Sequence, residues 1–226
     1  MNTKDFIYHE TVRMKIYQLL SELFQLPKKG MKTKLKELSR HLATIDSNLF
    51  AESDSMITAF SHKDRLEHLL VDYSQLFVGP YSLAAPPYGS VYLDTERKVM
   101  GNSTIDAKAR YTRYGIDVGE DFMDMPDHIV AELEFMYFLI YREIDCLQSS
   151  QYKEACDFLF EQNLFVIDHL NAWIPEFSDL VGKYSDTEFY SNLALITQRY
   201  IKSDLAYLSG IDTLEMQDQE EDYAAL

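Results

Sequence analysis

Apolar residues recur at helical spacing along most of the chain, and polar breaks separate the runs. This pattern predicts helices over residues 6–26, 32–45, 50–60, 61–77, 103–115, 127–147, 151–172 and from 185 onward. The run 127–147 is apolar on nearly every face, which places it at the centre of a bundle. We therefore predict an all-α fold, a single globular bundle of about 8–10 helices.

Capping signals define several predicted helix ends. Ser103 with Asp106, and Ser185 with Glu188, have the spacing of capping boxes, in which each side chain bonds the other's backbone N–H. Pro175 is expected to end the helix that begins near residue 151, because proline has no N–H to donate.

Residues 78–102 form a connection without a helical pattern. The stretch is 25 residues long and contains three of the six prolines, together with several tyrosines. Loops of this length inside a compact domain are usually functional or disordered, and this one is too apolar for disorder. We expect an ordered loop that packs on the bundle and shapes a surface. The alternative is a segment that only covers the core.

A second connection, residues 116–126, is strongly acidic and predicts a hinge. It would divide one domain, residues 1–212, into an N-terminal half, 1–115, and a C-terminal half, 127–212. Residues 213–226 are predicted to be an acidic tail. The hinge is either a solvated linker or an acidic surface for a cationic ligand, and it would allow either a monomer or a domain-swapped homodimer. Its carboxylates, with the one that follows, are Asp117, Glu120, Asp121, Asp124 and Asp127.

Composition narrows the possible partners. The formal charge is −16, which opposes binding to nucleic acid or to an anionic membrane and favours a cationic partner. The two cysteines form no C-x-x-C pair, so neither a disulfide framework nor a zinc knuckle is predicted. Charged residues interrupt the first 20 positions, and no apolar run could span a bilayer. We expect a cytoplasmic protein without stable membrane insertion.

Motifs for catalysis are mostly absent. No histidine has a glutamate three residues before it, which argues against a di-iron bundle, and the chain has no His-Glu-x-x-His, P-loop or G-x-S-x-G motif. Asp127 and His128, with Glu132 one turn on, could form an acid–base pair. One alternative function is therefore a small helical nucleotide hydrolase that uses Asp127 and His128. Another is a purely structural helical adaptor.

Several linked motifs resemble the TorD/DmsD family of chaperones for the maturation of molybdenum redox enzymes. The similarity extends in order over about residues 70–200. The segments that carry it are 73–80 (Tyr-Ser-Gln-Leu-Phe-Val-Gly-Pro), 85–94 (Ala-Pro-Pro-Tyr-Gly-Ser-Val-Tyr-Leu-Asp), 125–136 (Met-Pro-Asp-His-Ile running into Glu-Leu-Glu-Phe-Met), 168–175 and 189–190.

The resemblance implies an all-helical, non-enzymatic protein. Such chaperones bind the twin-arginine signal peptide and the apo-form of a molybdenum-containing reductase, of the dimethyl sulfoxide or trimethylamine N-oxide type, and delay export until the cofactor is inserted. No cofactor is implied, except that some members bind guanine nucleotide weakly. The peptide-binding residues implied by the resemblance are Tyr73, Leu76, Phe77, Gly79, Pro80, Pro86, Pro87, Tyr88, Ser90, Tyr92, Pro126, Asp127 and His128.

The chemistry of such a leader suggests a division of roles among these residues. A twin-arginine leader offers two guanidiniums followed by an apolar stretch, so its receptor needs carboxylates beside apolar side chains. We expect Asp127, helped by Asp124 or Asp121, to pair with an arginine. The apolar part of the leader would contact Tyr88 and residues 76–77. Many relatives have Trp at positions 73 and 88, so the client itself is not defined by the sequence.

Overall fold

The fold is a bundle of α-helices. A computed structural model describes residues 3–45, 49–51, 53–54, 57, 66–79, 83–116 and 125–211. Within this part of the chain there are nine α-helices: α1 (Thr3–Phe24), α2 (Met31–Ile45), α3 (Leu66–Tyr73), α4 (Ser90–Leu93), α5 (Asn102–Arg113), α6 (Ile129–Gln148), α7 (Tyr152–Phe165), α8 (Asn171–Tyr184) and α9 (Glu188–Ser209). Two π-helical segments, π1 (Ser74–Val78) and π2 (Val166–Leu170), accompany them.

Helix α6 lies at the centre of the bundle, as its apolar sequence predicts. Helices α1 and α7 pack along it, α2 packs on α1, and α8 packs on α9. Side chains of α6 that are fully buried include Leu133, Met136, Leu139 and Ile140. The prediction of an all-α bundle is confirmed. None of the described helices is long and apolar enough to cross a lipid bilayer.

The predicted helix end at Pro175 is wrong. Helix α7, π2 and α8 follow one another without a break, and Pro175 lies inside α8. The proline removes only one backbone hydrogen bond, and the buried side chains of Trp173 and Phe177 on either side of it hold the helix against the core. Packing therefore outweighs the missing donor.

Helix α5 is capped from outside its own sequence. Ser103 and Asp106 do not form the predicted capping box. The carboxylate of Asp94 instead accepts the Ser103 Oγ–H at 3.0 Å and its backbone N–H at 3.4 Å. The C-terminal end of the helix is as predicted, since Gly115 has φ +76° and the next N–H reaches back to the Tyr111 carbonyl.

The start of α9 is held by a residue of α3 rather than by the predicted pair of Ser185 and Glu188. Asp72, which is buried, accepts hydrogen bonds from Ser185 Oγ at 2.7 Å and from the backbone N–H of Thr187 at 3.0 Å. This carboxylate joins two helices that are more than a hundred residues apart in sequence.

A buried ionic cluster joins α1 to α9. Arg13 is fully buried and donates through Nε and Nη2 to Asp204 at 2.6 and 2.9 Å, and through Nη1 to Glu10. Tyr17 also donates to Asp204, at 2.7 Å. Nearby, burial raises the pKa of Glu143 well above its usual range. The first helix is therefore part of the same core as the last one.

Candidate functional site

The 83–101 loop is joined by hydrogen bonds to the segment 125–128 that precedes α6. The Gly89 N–H donates to the Asp127 carbonyl, and the Ile129 N–H donates to the Pro87 carbonyl, both at 2.9 Å. Tyr88 and His128 form an antiparallel β-bridge between the two segments. The loop also contains one helical turn, α4, that the sequence pattern did not predict.

Asp127 lies at the centre of this junction and is only partly satisfied. Its side chain is fully buried, and its Oδ2 accepts the Ser90 backbone N–H at 2.8 Å. Its Oδ1, and the equally buried Oγ of Ser90, have no hydrogen-bond partner among the described residues. A buried carboxylate oxygen without a donor is rare in native proteins, and it can still accept a bond from a ligand.

His128 is the N-cap of α6, so the helix begins two residues later than the sequence predicts. Its Nδ1 accepts the Val130 N–H at 3.2 Å, and its ring packs edge-on against Tyr88 with ring centroids 5.2 Å apart. The Glu132 N–H donates to the His128 carbonyl at 3.0 Å as part of the helix, and the Glu132 side chain bonds to His169 and Trp173. The contacts described for these residues are those of a helix start and a buried network, and they give the hydrolase alternative no support.

Glu132 belongs instead to a network that sequence reasoning missed. Its Oε1 lies 3.1 Å from Nδ1 of His169, and its Oε2 accepts the indole N–H of Trp173 at 2.8 Å. The other imidazole nitrogen of His169 lies 2.9 Å from Asp106 Oδ2. The four residues come from α5, α6, π2 and α8, so no spacing rule could reveal them. The only signal was the segment 168–175 among the family motifs.

The pKa values of Glu132 and His169 are raised in this network, and that of Asp106 is lowered. Burial raises the pKa of Glu132, although bonds from His169 and Trp173 favour its ionised form. Burial alone would lower the pKa of His169, but its hydrogen bond to Glu132 and the charge of that carboxylate, with Asp106 on the other side, raise it. The pKa of Asp106 is lowered because His169 and Arg110 outweigh its partial burial.

The loop rests directly on this network. Tyr92 stacks on Trp173 with ring centroids 5.5 Å apart and an interplanar angle of 19°, and its hydroxyl donates to the Pro86 carbonyl at 2.8 Å. Gly89 approaches so closely that a Cβ there would lie 3.2 Å from Trp173 Nε1 and 3.3 Å from Glu132 Oε1. Sequence reasoning did not single out Gly89.

The side chains of Leu76 and Phe77, which we expected to contact the leader, lie in the core. Leu76 is fully buried and Phe77 is 6% exposed. Segment π1 turns both side chains into the core, where Phe77 packs against the rings of Phe177 and Tyr190. The Leu76 carbonyl accepts the Ala85 N–H at 3.1 Å, so this segment supports the loop from beneath.

The remaining predicted residues fall into three groups. The structure brings together, around the junction of loop and helix, Pro86, Pro87, Tyr88, Ser90, Tyr92, Pro126, Asp127 and His128. Tyr73 and Gly79 lie at the two ends of π1, and Tyr73 packs edge-on against Phe77. Pro80, Asp121 and Asp124 are outside the described residues. Within the described part of the chain, no group of three His, Cys, Asp or Glu side chains is arranged to hold a metal ion.

Comparisons with known proteins agree with these observations. The sequence model of the family described as nitrate reductase delta subunit matches residues 28–179. The chaperone protein TorD of Vibrio parahaemolyticus is 28% identical over 207 residues, which cover 88% of this chain and 95% of that protein. A protein of Haemophilus influenzae described as the Tat proofreading chaperone DmsD is 28% identical over 141 residues, covering 62% of each chain.

The fold also matches a solved structure. A protein of Archaeoglobus fulgidus described as a redox enzyme maturation protein superposes with a TM-score of 0.54 at 22% identity, covering 84% of this chain and 93% of the other. The names of the two sequence relatives both describe chaperones. The family model covers more than half of the chain, and the chain therefore belongs to the nitrate reductase delta subunit family, with similarity to the TorD and DmsD chaperones.

Proposed function

We propose that this protein is a cytoplasmic chaperone that binds the twin-arginine signal peptide of a molybdopterin-dependent reductase. The client is the apo-form of a reductase of the dimethyl sulfoxide or trimethylamine N-oxide type, and the chaperone assists cofactor insertion before export. The names TorD and Tat proofreading chaperone DmsD, given to its relatives, support this type of client and this task.

The unpartnered oxygen of Asp127 carries the proposal. A guanidinium donates N–H groups in a planar fork that fits a carboxylate, and such charge-assisted bonds are stronger when water is excluded. Asp127 is fully buried, its Oδ2 is fixed by the Ser90 N–H, and its Oδ1 has no donor among the described residues. An arginine of the leader would supply that donor once the junction of loop and helix opens to admit it.

The apolar part of the leader needs a surface beside this carboxylate. Tyr88 and Tyr92, which are half-buried on the loop, and Pro86 between α3 and α4 provide one. Burial of Leu76 and Phe77 moves the proposed contact from π1 to these residues. Asp121 and Asp124 remain proposed helpers of Asp127. The net charge of −16 also favours the approach of a cationic leader.

The hinge at 116–126 and the two halves it would separate remain part of the proposal. Helix α1 packs along α6, and Arg13 of α1 pairs with Asp204 of α9. A domain-swapped homodimer would therefore have to form these same contacts between two copies. Light scattering after size exclusion distinguishes it from a monomer.

Calorimetry with a twin-arginine leader peptide tests the proposed function. Because charge-assisted bonds contribute about 1.5–3 kcal/mol, Asp127→Asn should weaken binding about tenfold or more. Asp145→Asn removes the same charge at the other, exposed end of α6, roughly 25 Å away, and should leave the affinity unchanged. Equal affinities for the two variants would refute the assignment of Asp127. Affinity should also fall when salt rises from about 50 to about 500 mM.

A further inference from the structure

A continuous chain of contacts runs from the surface of α5 to the loop. It starts at Asp106, whose side chain is 52% exposed, passes through His169 to Glu132, and continues through the indole N–H of Trp173. Tyr92 of the loop stacks on that indole. The interior members of this chain are nearly inaccessible to solvent, so each has few alternative partners.

We propose that His169 is a positioning residue for the peptide site, because it holds the Glu132 carboxylate against Trp173 and thereby fixes the ring on which the loop rests. This role rests on the proposed function, since the surface that it positions is the one assigned to the leader. His169 itself does not touch the leader. It lies on π2, beneath the loop, where the wider π turn joins α7 to α8.

The protonation state of His169 sets how many of these bonds exist. A protonated imidazole donates from both nitrogens and can satisfy Glu132 and Asp106 together, whereas a neutral one has a single N–H. When His169 loses its proton, one of the two carboxylates loses its donor. The loop support is then weakened, and affinity for the leader falls as pH rises.

Other charged groups around His169 also affect its pKa. From α5, Arg110 opposes protonation of His169, but Arg110 is itself paired with Asp106 at 2.8 Å. Arg110 also pairs with Asp168 of π2 at 2.5 Å and with Glu161 of α7 at 3.2 Å. Phe165 stacks on the imidazole at 4.6 Å, and Trp173 of α8 is uncharged. The carboxylates therefore outnumber the one arginine, and the pKa of His169 is raised.

The single tryptophan makes the network directly observable. Trp173 is the only tryptophan of the chain, so its emission reports on this site alone. We expect the emission to change between about pH 5.5 and 9, with a midpoint above about 6.5. The change should be absent in His169→Gln and retained in His41→Gln, a control on α2. Asp106→Asn, at the exposed end of the chain, should fold and lower the midpoint.

Leader binding at the two ends of this pH range completes the test. Wild-type affinity should be at least about fivefold weaker at the higher pH, and the affinity of His169→Gln should not depend on pH. The positioning role is wrong if the affinity of wild type for the leader does not weaken at the higher pH. It is also wrong if His169→Gln keeps the pH dependence of affinity or the pH titration of Trp173 emission. In either case the proposed function stands. If wild type binds no leader at any pH, the proposed function fails and the positioning role fails with it.

Discussion

Gly89 offers a sharp test of how closely the loop approaches the bundle. Its φ of −56° is accessible to any residue, so Gly89→Ala introduces no backbone strain. The added methyl carbon would lie 3.2 Å from Trp173 Nε1 and 3.3 Å from Glu132 Oε1. The Trp173 indole N–H donates to the other oxygen of this carboxylate, Glu132 Oε2, at 2.8 Å inside the core, so neither side chain can move without weakening that bond.

The expected magnitude follows from two opposing effects. Overpacking a buried contact costs about 1–3 kcal/mol, and replacing glycine by alanine restores about 0.4–1 kcal/mol by restricting the unfolded chain. We therefore expect Gly89→Ala to lower the free energy of unfolding by about 0.5–2 kcal/mol. Because the shift occurs at Trp173, its emission should change as well.

Urea denaturation of Gly89→Ala and Gly182→Ala compares the same substitution in two environments. Gly182 lies exposed within α8, and a Cβ there meets nothing within 4 Å. Gly182→Ala should therefore raise the free energy of unfolding by about 0.5–1 kcal/mol, since glycine is a poor helix former. If Gly89→Ala stabilises the protein as much as Gly182→Ala does, the close approach of the loop is wrong.

Three further predictions concern stability, measured by urea denaturation. Arg13→Met leaves buried carboxylates unpaired and should lower the free energy of unfolding by about 3–5 kcal/mol. Arg97→Met removes an exposed ion pair and should lower it by less than about 1 kcal/mol. Similar losses in the two variants would contradict the stabilising role of the buried cluster. A Cβ at Gly101 would overlap the Asp94 carboxylate that caps α5, so Gly101→Ala and Asp94→Ala should each lower the free energy of unfolding by about 0.5–2 kcal/mol. The double variant should lose little more than either single variant, and additive losses would argue against a shared cap. The pKa of His169 is raised in the folded state, so the stability that His169 contributes is fully present below about pH 6.5 and is lost as pH rises through that raised pKa. The free energy of unfolding of His169→Gln should lack this decline, and an identical decline in the variant would show that another group causes it.

The helices could be predicted largely from the sequence, because their formation depends on local spacing. Helix α6 is the clearest case, since a segment that is apolar on nearly all sides has to lie inside a bundle. Helix ends were predicted less well. Asp94 and Asp72 cap helices to which they are not adjacent in sequence, and Pro175 is tolerated inside α8 because its neighbours are buried.

Contacts between residues far apart in sequence were even harder to predict at the candidate site. The family motifs identified Asp127, His128 and Tyr88, which the structure brings together at one junction. They did not show that residues 76–77 face the core, because the π turn that rotates them has no signature in local spacing. The bonds that Glu132 makes to His169 were likewise hidden, since π2 sets the direction of the histidine.

The most direct test of the central claim is calorimetric titration of the wild-type protein with a twin-arginine leader peptide and with the same peptide carrying two lysines in place of the arginines. Lysine keeps the charge but cannot form the planar two-bond pairing of a guanidinium. The account predicts that the arginine peptide binds at least about tenfold more tightly, and that Asp127→Asn abolishes this difference. Equal affinity of wild type for the two peptides, or no binding of either, would contradict it.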